Sequence, residues 1–303
     1  MKIGFYNPYF DSLGGGERYS LTLAAHWSQK HEVVLFWDDP RFLIKAQERF
    51  GLNLSQAKTV PNFFSSGNLL KKIFLSQQYD LIFFLSDGSI PTTLAKRNIL
   101  HFQVPFAAIP VGRLKLSRFQ AVICNSQFTL RHLDQYLQSK ARVIYPPVSA
   151  IETKNQKKEK IILSVGRFTS YFQAKKQEVL IEAFKAACSA PEFAGWRLIL
   201  AGGLLPSDQN YFLSLQKKSE GMPVELLPNI SYEQLVSLYQ AATFYWHAAG
   251  FAETDPQLME HFGIATVEAM SAGSVPLVFN GGGQPEIVRQ GQDGFLWQTK
   301  GEL

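Results

Sequence analysis

"IILSVGRFTSYFQAKKQEVLIEAFKAACSAPEFAGWRLILAGG" occupies residues 161–203. It opens on 161–168 and closes on 196–203, two runs that are mostly apolar, with a helix-like stretch near 175–189 between them. A strand with one wet face alternates apolar and polar residues, whereas a strand covered on both faces of a parallel sheet reads as a continuous apolar run. The segment therefore predicts a β/α/β unit.

The same alternation continues downstream. A helix near 207–219, a strand at 223–227 (PVELL), a helix near 231–241 and a strand at 243–249 (TFYWHAA) precede a helix near 264–272 and strands at 274–280 and 294–297. Upstream, strand-like runs fall at 2–6, 31–36, 80–85, 98–102, 120–124 and 141–145. Helix-like segments lie at 16–29 and 126–138, the second capped by Asn125 or Ser126. Between the two arrays "YPPVSAIETKNQKKEK" (145–160) joins a proline pair to a lysine-rich run, which interrupts regular structure. The expectation is α/β, with two Rossmann-like domains, 1–150 and 151–303, facing each other across a cleft. The last residues, "TKGEL", read like the start of a helix, so the C-terminal domain is expected to be incomplete.

Composition agrees with a globular chain. Of 303 residues, 46% are hydrophobic and 18% charged, which excludes a disordered polypeptide. The net charge of +5 is too small by itself to argue for nucleic acid, and fits an anionic small ligand or an anionic membrane surface. Cys124 and Cys188 lie in apolar segments without metal-ligand spacing, so both are expected to be buried free thiols. "MKIGFYNPYF" has no signal-peptide pattern, and no apolar stretch reaches the roughly 18 residues of a spanning helix. A cytoplasmic protein is expected, with peripheral membrane contact left open.

Three segments carry chemistry. "SLGGGERYS" places Gly14, Gly15 and Gly16 where a helix begins after the first strand, a setting that favours an anion. A dinucleotide fingerprint with Asp38 or Asp39 as the ribose acid is disfavoured, because Tyr19 stands in the third glycine's place and the loop is too long. Arg167 follows a buried strand, and Lys175 and Lys176 follow it at a helix start, a pattern suited to a diphosphate that becomes a leaving group. For Lys176 a solvated basic loop is an equal reading. In "MEHFGIATVEAMSAGSVPLVFNGGGQPEIV" (259–288), Glu260 precedes a helix and Glu268 lies within it. Gly263 permits an unusual backbone at the helix start, and the amides of Phe262, Gly263 and Ile264 would face outward. Carboxylates and amides so placed can hold a sugar and its ribose hydroxyls. Alone, either glutamate would pass for a surface charge. "PVGRLKLSRF" (110–119) interleaves basic and apolar residues; a solvated face explains it better than a membrane contact.

"GGGER", "SVGRF…KKQEVLIEAF", "EHFGIATVEAM" with its Glu260-x7-Glu268 spacing, "GGQPEIV" and "CNSQFTLRHL…VIYPPV" together resemble the family-4 retaining glycosyltransferases of the GT-B fold. The resemblance spans essentially the whole chain. It implies an acceptor-side N-terminal domain and a nucleotide-sugar donor domain at the C-terminus, and transfer of a hexose with retention to a glycan or lipid-linked acceptor. The "HFGI" wording is nearest to hexosyltransferases, mannosyltransferases included. The resemblance further implies that Arg167 and Lys175 bind the donor diphosphate, Glu260 contacts the transferred sugar and Glu268 the ribose. Phe262, Gly263 and Ile264 would offer backbone contacts to the sugar, Val267 to the phosphates, and Gly15 and Gly16 would face the diphosphate. His101, in "ILHFQVP", is similar to the family's active-site histidine, although a structural strand-end histidine accounts for it nearly as well. Two departures stand out: the long aromatic spacer between Arg167 and Lys175, and the missing elements after "GFLW". No CxxC pair, HxxEH-type cluster or DxD triplet occurs, so neither cofactor nor metal is expected. A non-catalytic sugar-nucleotide-binding protein and a C2 isomerase of nucleotide sugars are the alternative readings.

Overall fold

The computed structural model describes residues 1–65, 67–109, 112–153, 157–171 and 173–303. The chain divides into two compact units, Met1–Pro147 and Val148–Leu303. The first runs β1 (Lys2–Tyr6), α1 (Gly15–Ser28), β2 (Glu32–Phe36), α2 (Phe42–Phe50), β3 (Lys58–Val60), α3 (Leu69–Ser76), β4 (Leu81–Leu85), β5 (Arg97–Phe102), α4 (Arg113–Leu116), β6 (Ala121–Cys124), α5 (Gln127–Arg131), α6 (Gln135–Gln138) and β7 (Ala141–Val143). The second runs β8 (Glu159–Val165), α7 (Gln177–Ala187), β9 (Arg197–Gly202), α8 (Gln209–Lys218), β10 (Val224–Pro228), α9 (Tyr232–Ala241), β11 (Ala242–His247), α10 (Ile264–Ser271), β12 (Val275–Phe279) and β13 (Phe295–Trp297).

Each unit is one parallel sheet with helices on both faces. The strand orders are β3-β2-β1-β4-β5-β6-β7 and β10-β9-β8-β11-β12-β13, with parallel pairing between the named neighbours. Two Rossmann-like α/β domains are thus present. In each, the order reverses once: between β1 and β4, and between β8 and β11. Ligands of open α/β sheets bind outside the carboxyl ends of strands at such a reversal.

Burial explains the strand sequences. Val33, Val34, Leu35 and Phe36 of β2 are all buried, as are Ile82, Phe83, Phe84 and Leu85 of β4. One apolar cluster forms on each side of the first sheet. Phe42, Ala46 and Phe50, spaced four apart on α2, enter the cluster shared with α1, while Leu116 of α4 and the partly buried Leu75 of α3 join the opposite one. In the second unit Ile162, Leu198 and Leu200 pack under α7 and α8, and Leu163, Ile199 and Val278 pack under α9 and α10.

Several details depart from the sequence reading. Strand β3 and helices α2 and α3 fill the span between 36 and 80 that the reading left without elements. The helix expected at 126–138 is two short ones, because Asp134 starts a second helix by accepting from the Tyr136 amide at 3.0 Å. Cys124 is buried, and burial pushes its thiol up to about 12, but Cys188 is exposed at the end of α7. Within the lysine-rich run, 154–156 lie outside the described residues. Lys158 of that run is not simply solvated: its Nζ donates to the Ala272 carbonyl at 2.6 Å and the Tyr239 carbonyl at 3.2 Å, near the ends of α10 and α9. A cation there satisfies carbonyls that have no partner within their own helices.

His101, on β5, is fully buried, and its ring lies 4.1 Å from that of Tyr19 and 5.4 Å from that of Phe83, centre to centre. Neither ring nitrogen has a hydrogen-bond partner among the described residues. Burial lowers its pKa to about 3 from an ordinary 6.5. A folded-state value below the unfolded one means stability that is complete above pH 6.5 and is lost as pH falls toward 3. At about 1.4 kcal/mol per pH unit, urea unfolding at pH 5 should show the first unit weakened through this residue by about 2 kcal/mol relative to neutral pH. His101→Leu should remove that component; equal pH slopes for parent and variant would contradict it.

Candidate active site

Three loops meet at the carboxyl ends of β8, β11 and β12. The first, after β8, carries Arg167 and Lys175. Its backbone is held by Gln177, whose side-chain amide donates to the Arg167 carbonyl at 2.9 Å. The second, after β11, runs from Ala248 to Gly263 and carries Glu260. The third, after β12, contains Gly281, Gly282, Gly283 and Gln284.

Lys175 Nζ donates to Glu260 Oε2 at 2.7 Å. His247, the last residue of β11, approaches the same oxygen through Nε2 at 3.1 Å. Burial opposes charge on Glu260, but the Lys175 ammonium and the His247 contact outweigh it and hold the carboxyl well below the usual carboxylate range. Burial also depresses the His247 pKa, against the pull of Glu260. A neutral imidazole with its proton on Nε2 donates to Glu260 and leaves Nδ1 to accept from the side-chain amide of Gln284, 3.4 Å away. Both contacts to Glu260 fall on Oε2. Among the described residues Oε1 makes no side-chain hydrogen bond or ion pair, so one oxygen of an ionised carboxylate is available to a ligand hydroxyl. His261 turns aside: its Nδ1 lies 3.2 Å from Gln173 Nε2 and its Nε2 lies 3.1 Å from the Pro256 carbonyl.

Lys175 and Lys176 part company. Lys176 has φ 53, a left-handed turn immediately before α7, and its Nζ pairs with Glu253 Oε1 at 2.5 Å. Of the two lysines only Lys175 reaches Glu260. Arg167 is partly exposed, and its guanidinium makes no hydrogen bond or ion pair among the described residues. Phe172, in the spacer between them, lies outside the described residues.

Two glycines set the position of Glu260. Gly263 has φ 116 and begins α10, and a Cβ there would come within 2.6 Å of Gln284 Nε2. Gly282 has φ 63, and a Cβ there would sit 2.0 Å from the Glu260 carbonyl oxygen. The neighbouring Gly283 amide donates to that carbonyl at 2.8 Å. In α10, Thr266 and Val267 donate to the Gly263 carbonyl, so the helix is anchored one residue beyond Phe262. Phe262 itself is buried and Ile264 partly exposed. Glu268 lies in the second turn of α10, only 2% exposed, and its Oε2 accepts from the Tyr239 hydroxyl at 3.1 Å. The sequence placed Glu268 within the helix but gave no sign of this buried seat.

In the other unit, Gly15 and Gly16 open α1. The helix start there is already served by an anion of the chain itself. Glu17 Oε2 accepts from the Gly14 backbone amide at 2.8 Å and from the Ser12 hydroxyl at 2.7 Å, and Oε1 accepts from the Asn7 side-chain Nδ2 at 3.0 Å. A carboxylate three residues into a helix commonly turns back to its start in this way. His247 and Gln284 were missed by the sequence reading. His247 ends an aromatic strand run, "TFYWH", and Gln284 lies inside a glycine-rich turn, so neither carries a local signature.

The family model described as "Glycosyl transferases group 1" matches residues 149–302. The chain belongs to that family. The model described as "Glycosyltransferase Family 4" matches residues 13–150. Among curated relatives of this group 1 chain is the "GDP-Man:Man(3)GlcNAc(2)-PP-Dol alpha-1,2-mannosyltransferase" of Xenopus laevis, 32% identical over 194 residues, covering 58% of this chain and 38% of the relative. The protein of the same name from Homo sapiens is 28% identical over 182 residues, 54% of this chain and 34% of its own. The chain thus spans well under half the length of these relatives. Among solved structures, Anabaena HepE in complex with UDP-glucose aligns with a TM-score of 0.69 at 22% identity, over 98% of this chain and 85% of that one. A Rickettsia africae glycosyltransferase gives 0.71 at 16% identity, over 97% and 83%. At such identities these two likenesses bear on the fold, and both agree with the paired parallel sheets.

Gly282→Ala should displace the loop that carries Glu260. The added carbon meets backbone, not a flexible side chain, and the left-handed conformation itself costs a non-glycine residue about 1 kcal/mol or more. Thermal unfolding should show the midpoint lowered by several degrees. An unchanged midpoint would show that this contact does not constrain the loop.

Proposed function

We propose that the chain is a retaining hexosyltransferase that moves a hexose, with mannose favoured, from a nucleoside-diphosphate sugar to a hydroxyl of a glycan or lipid-linked saccharide. One observation carries this reading: an ionised carboxylate, Glu260, paired with Lys175 at the reversal point of the second sheet, with one oxygen that makes no side-chain contact among the described residues. The curated relatives named as GDP-mannose-dependent mannosyltransferases support the sugar class. They match only part of each protein, so the acceptor is taken from chemistry: an exposed hydroxyl on a sugar.

In this reading the step to be accelerated is departure of the diphosphate. Its negative charge grows as the bond to the anomeric carbon breaks, and preorganised cations lower that barrier because they interact more strongly with the transition state than with the bound donor. Arg167 offers a charge that has no ion-pair partner among the described residues. Lys175 shares one proton with Glu260 and has two more to donate. Glu260, ionised at neutral pH, is no general acid. Its Oε1 would accept from a hydroxyl of the transferred sugar and fix the ring for reaction. Phe262, Gly263 and Ile264 would add backbone contacts to the sugar and Val267 to the phosphates, with Glu268, held by Tyr239, serving the ribose end. With cations from the chain in these places, no divalent metal or cofactor is assigned to the donor site.

Glu260→Gln should abolish transfer while circular dichroism shows the parent fold, with the unfolding midpoint lowered because Lys175 loses its ion pair. Arg167→Ala should lower kcat by about 10²-fold, the scale seen when one charge-stabilising group is removed. A screen of UDP-, GDP- and ADP-hexoses by thermal shift identifies the donor for these assays. Transfer at the parent rate by Glu260→Gln would sink the proposal. In a separate assay, turnover should survive an excess of EDTA; loss restored by added magnesium or manganese would overturn the metal-independent site.

A further inference from the structure

Charge is unevenly divided between the two units. Residues 1–147 carry 17 Lys and Arg against 9 Asp and Glu, whereas residues 148–303 carry 13 against 16. The first unit is therefore strongly basic and the second slightly acidic. Within the first unit acids are absent from two long stretches, 61–79 and 88–133. The first contains helix α3 and the second contains α4.

Helix α3 is inverted relative to an ordinary surface helix. Ser76 is buried, and its hydroxyl accepts from the Leu94 amide at 2.9 Å, while Leu75 packs on the cluster beneath. The side turned away from the sheet carries Leu70 at 76% exposure and Phe74 at 70%, four residues apart and hence neighbours on one face, with Leu69 at 53%. Lys71 and Lys72 lie between them in sequence. On α4, Leu114 is 86% exposed beside the exposed Lys115. Leu75 and Leu116 pack into one apolar cluster, so the two helices cover the same face of the first sheet. Single exposed apolar residues are ordinary, but three on a two-turn helix that has lysines and no acids are not.

We propose that this face of the first unit, centred on Leu70 and Phe74, flanked by Lys71 and joined by Leu114 and Lys115 of α4, docks on the surface of an anionic lipid bilayer. Apolar side chains that stand clear of the fold enter the boundary between headgroups and acyl chains, and lysines beside them meet the lipid charge. The combination argues for a bilayer over a soluble polyanion, which would have no use for exposed Leu70 and Phe74. The inference goes beyond the transferase reading and does not rest on it, because vesicle binding is measured without donor or turnover.

The test is co-sedimentation of the 303-residue chain with vesicles of phosphatidylcholine alone and of phosphatidylcholine with phosphatidylglycerol. Binding is expected only to the second and should weaken in 0.5 M salt. Lys71→Ala/Lys115→Ala should weaken it by roughly 30-fold, from about 1 kcal/mol for each lysine near an anionic surface. Leu70→Ser/Phe74→Ser should weaken it by at least 10-fold. These side chains are exposed, so circular dichroism should match the parent. Absence of binding to either vesicle overturns the proposal. Loss on lysine substitution but not on Leu70→Ser/Phe74→Ser would assign the surface to a soluble polyanion and overturn it. A dimer in sedimentation velocity that dissociates in Leu70→Ser/Phe74→Ser would give the face to a second copy, again overturning it.

Discussion

A carboxylate drawn away from water keeps its charge only when opposite charge or hydrogen-bond donors come with it. Glu260 meets both, the Lys175 ammonium at 2.7 Å and the His247 imidazole at 3.1 Å, on the same oxygen. That convergence decides the chemistry of the surrounding loops. It makes Glu260 an anion at neutral pH and, among the described residues, engages only one of its oxygens. It also restrains Lys175, which would otherwise be a flexible four-carbon stem at the end of a loop. Removing either partner would leave the remaining charge poorly compensated in a half-buried setting, where such losses are larger than those of an exposed ion pair.

The sheet supplies the precision. Strands β8 and β11 are adjacent and parallel, with Phe244 opposite Ile162 and Tyr245 opposite Leu163. Their carboxyl ends therefore deliver the Lys175 loop and the Glu260 loop to the same edge without any long connection having to find its place. The glycine-rich turn after β12 completes the arrangement from the far side: Gly283 binds the Glu260 carbonyl, and Gln284 bonds the histidine that bonds the glutamate. Three successive connections of one sheet thus hold one functional group. Such support from neighbouring elements is what keeps a reactive side chain within the narrow geometry a reaction needs.

Much of this was legible in the sequence. Strands buried on both faces announce themselves as apolar runs, so nearly every long strand was read within a few residues. The pieces that were missed carry weaker signals. Strand β3, "KTV", is three residues with no apolar run, and α3 has its apolar residues on the wrong side for a core-facing helix. Helix α2 does carry a signal, since Phe42, Ala46 and Phe50 recur every four residues, but it is a short one. At the site, Glu260, Lys175 and Arg167 could be picked out because charged residues beside glycines at strand ends are conspicuous. Their pairing could not. Lys175 and Glu260 are 85 residues apart and Glu268 and Tyr239 are 29 apart, and only the register of the sheet brings each pair into contact. The exposure of Cys188 was misjudged for the same reason: its apolar neighbours face the core, and it falls at the end of their helix.

The neighbours Lys175 and Lys176 are chemically identical, yet they bind acids seven positions apart, Glu260 and Glu253. What separates them is one left-handed residue. The loop that leads to them is therefore a counted length, not merely a tether. Shifting the basic pair by one position relative to Gln177 would offer the wrong lysine to Glu260 while leaving composition, charge and the flanking strand and helix intact. Comparisons of sequences across this loop should consequently be aligned from the helix backwards, from Gln177, since matching the basic pair by identity alone would exchange two residues with different tasks.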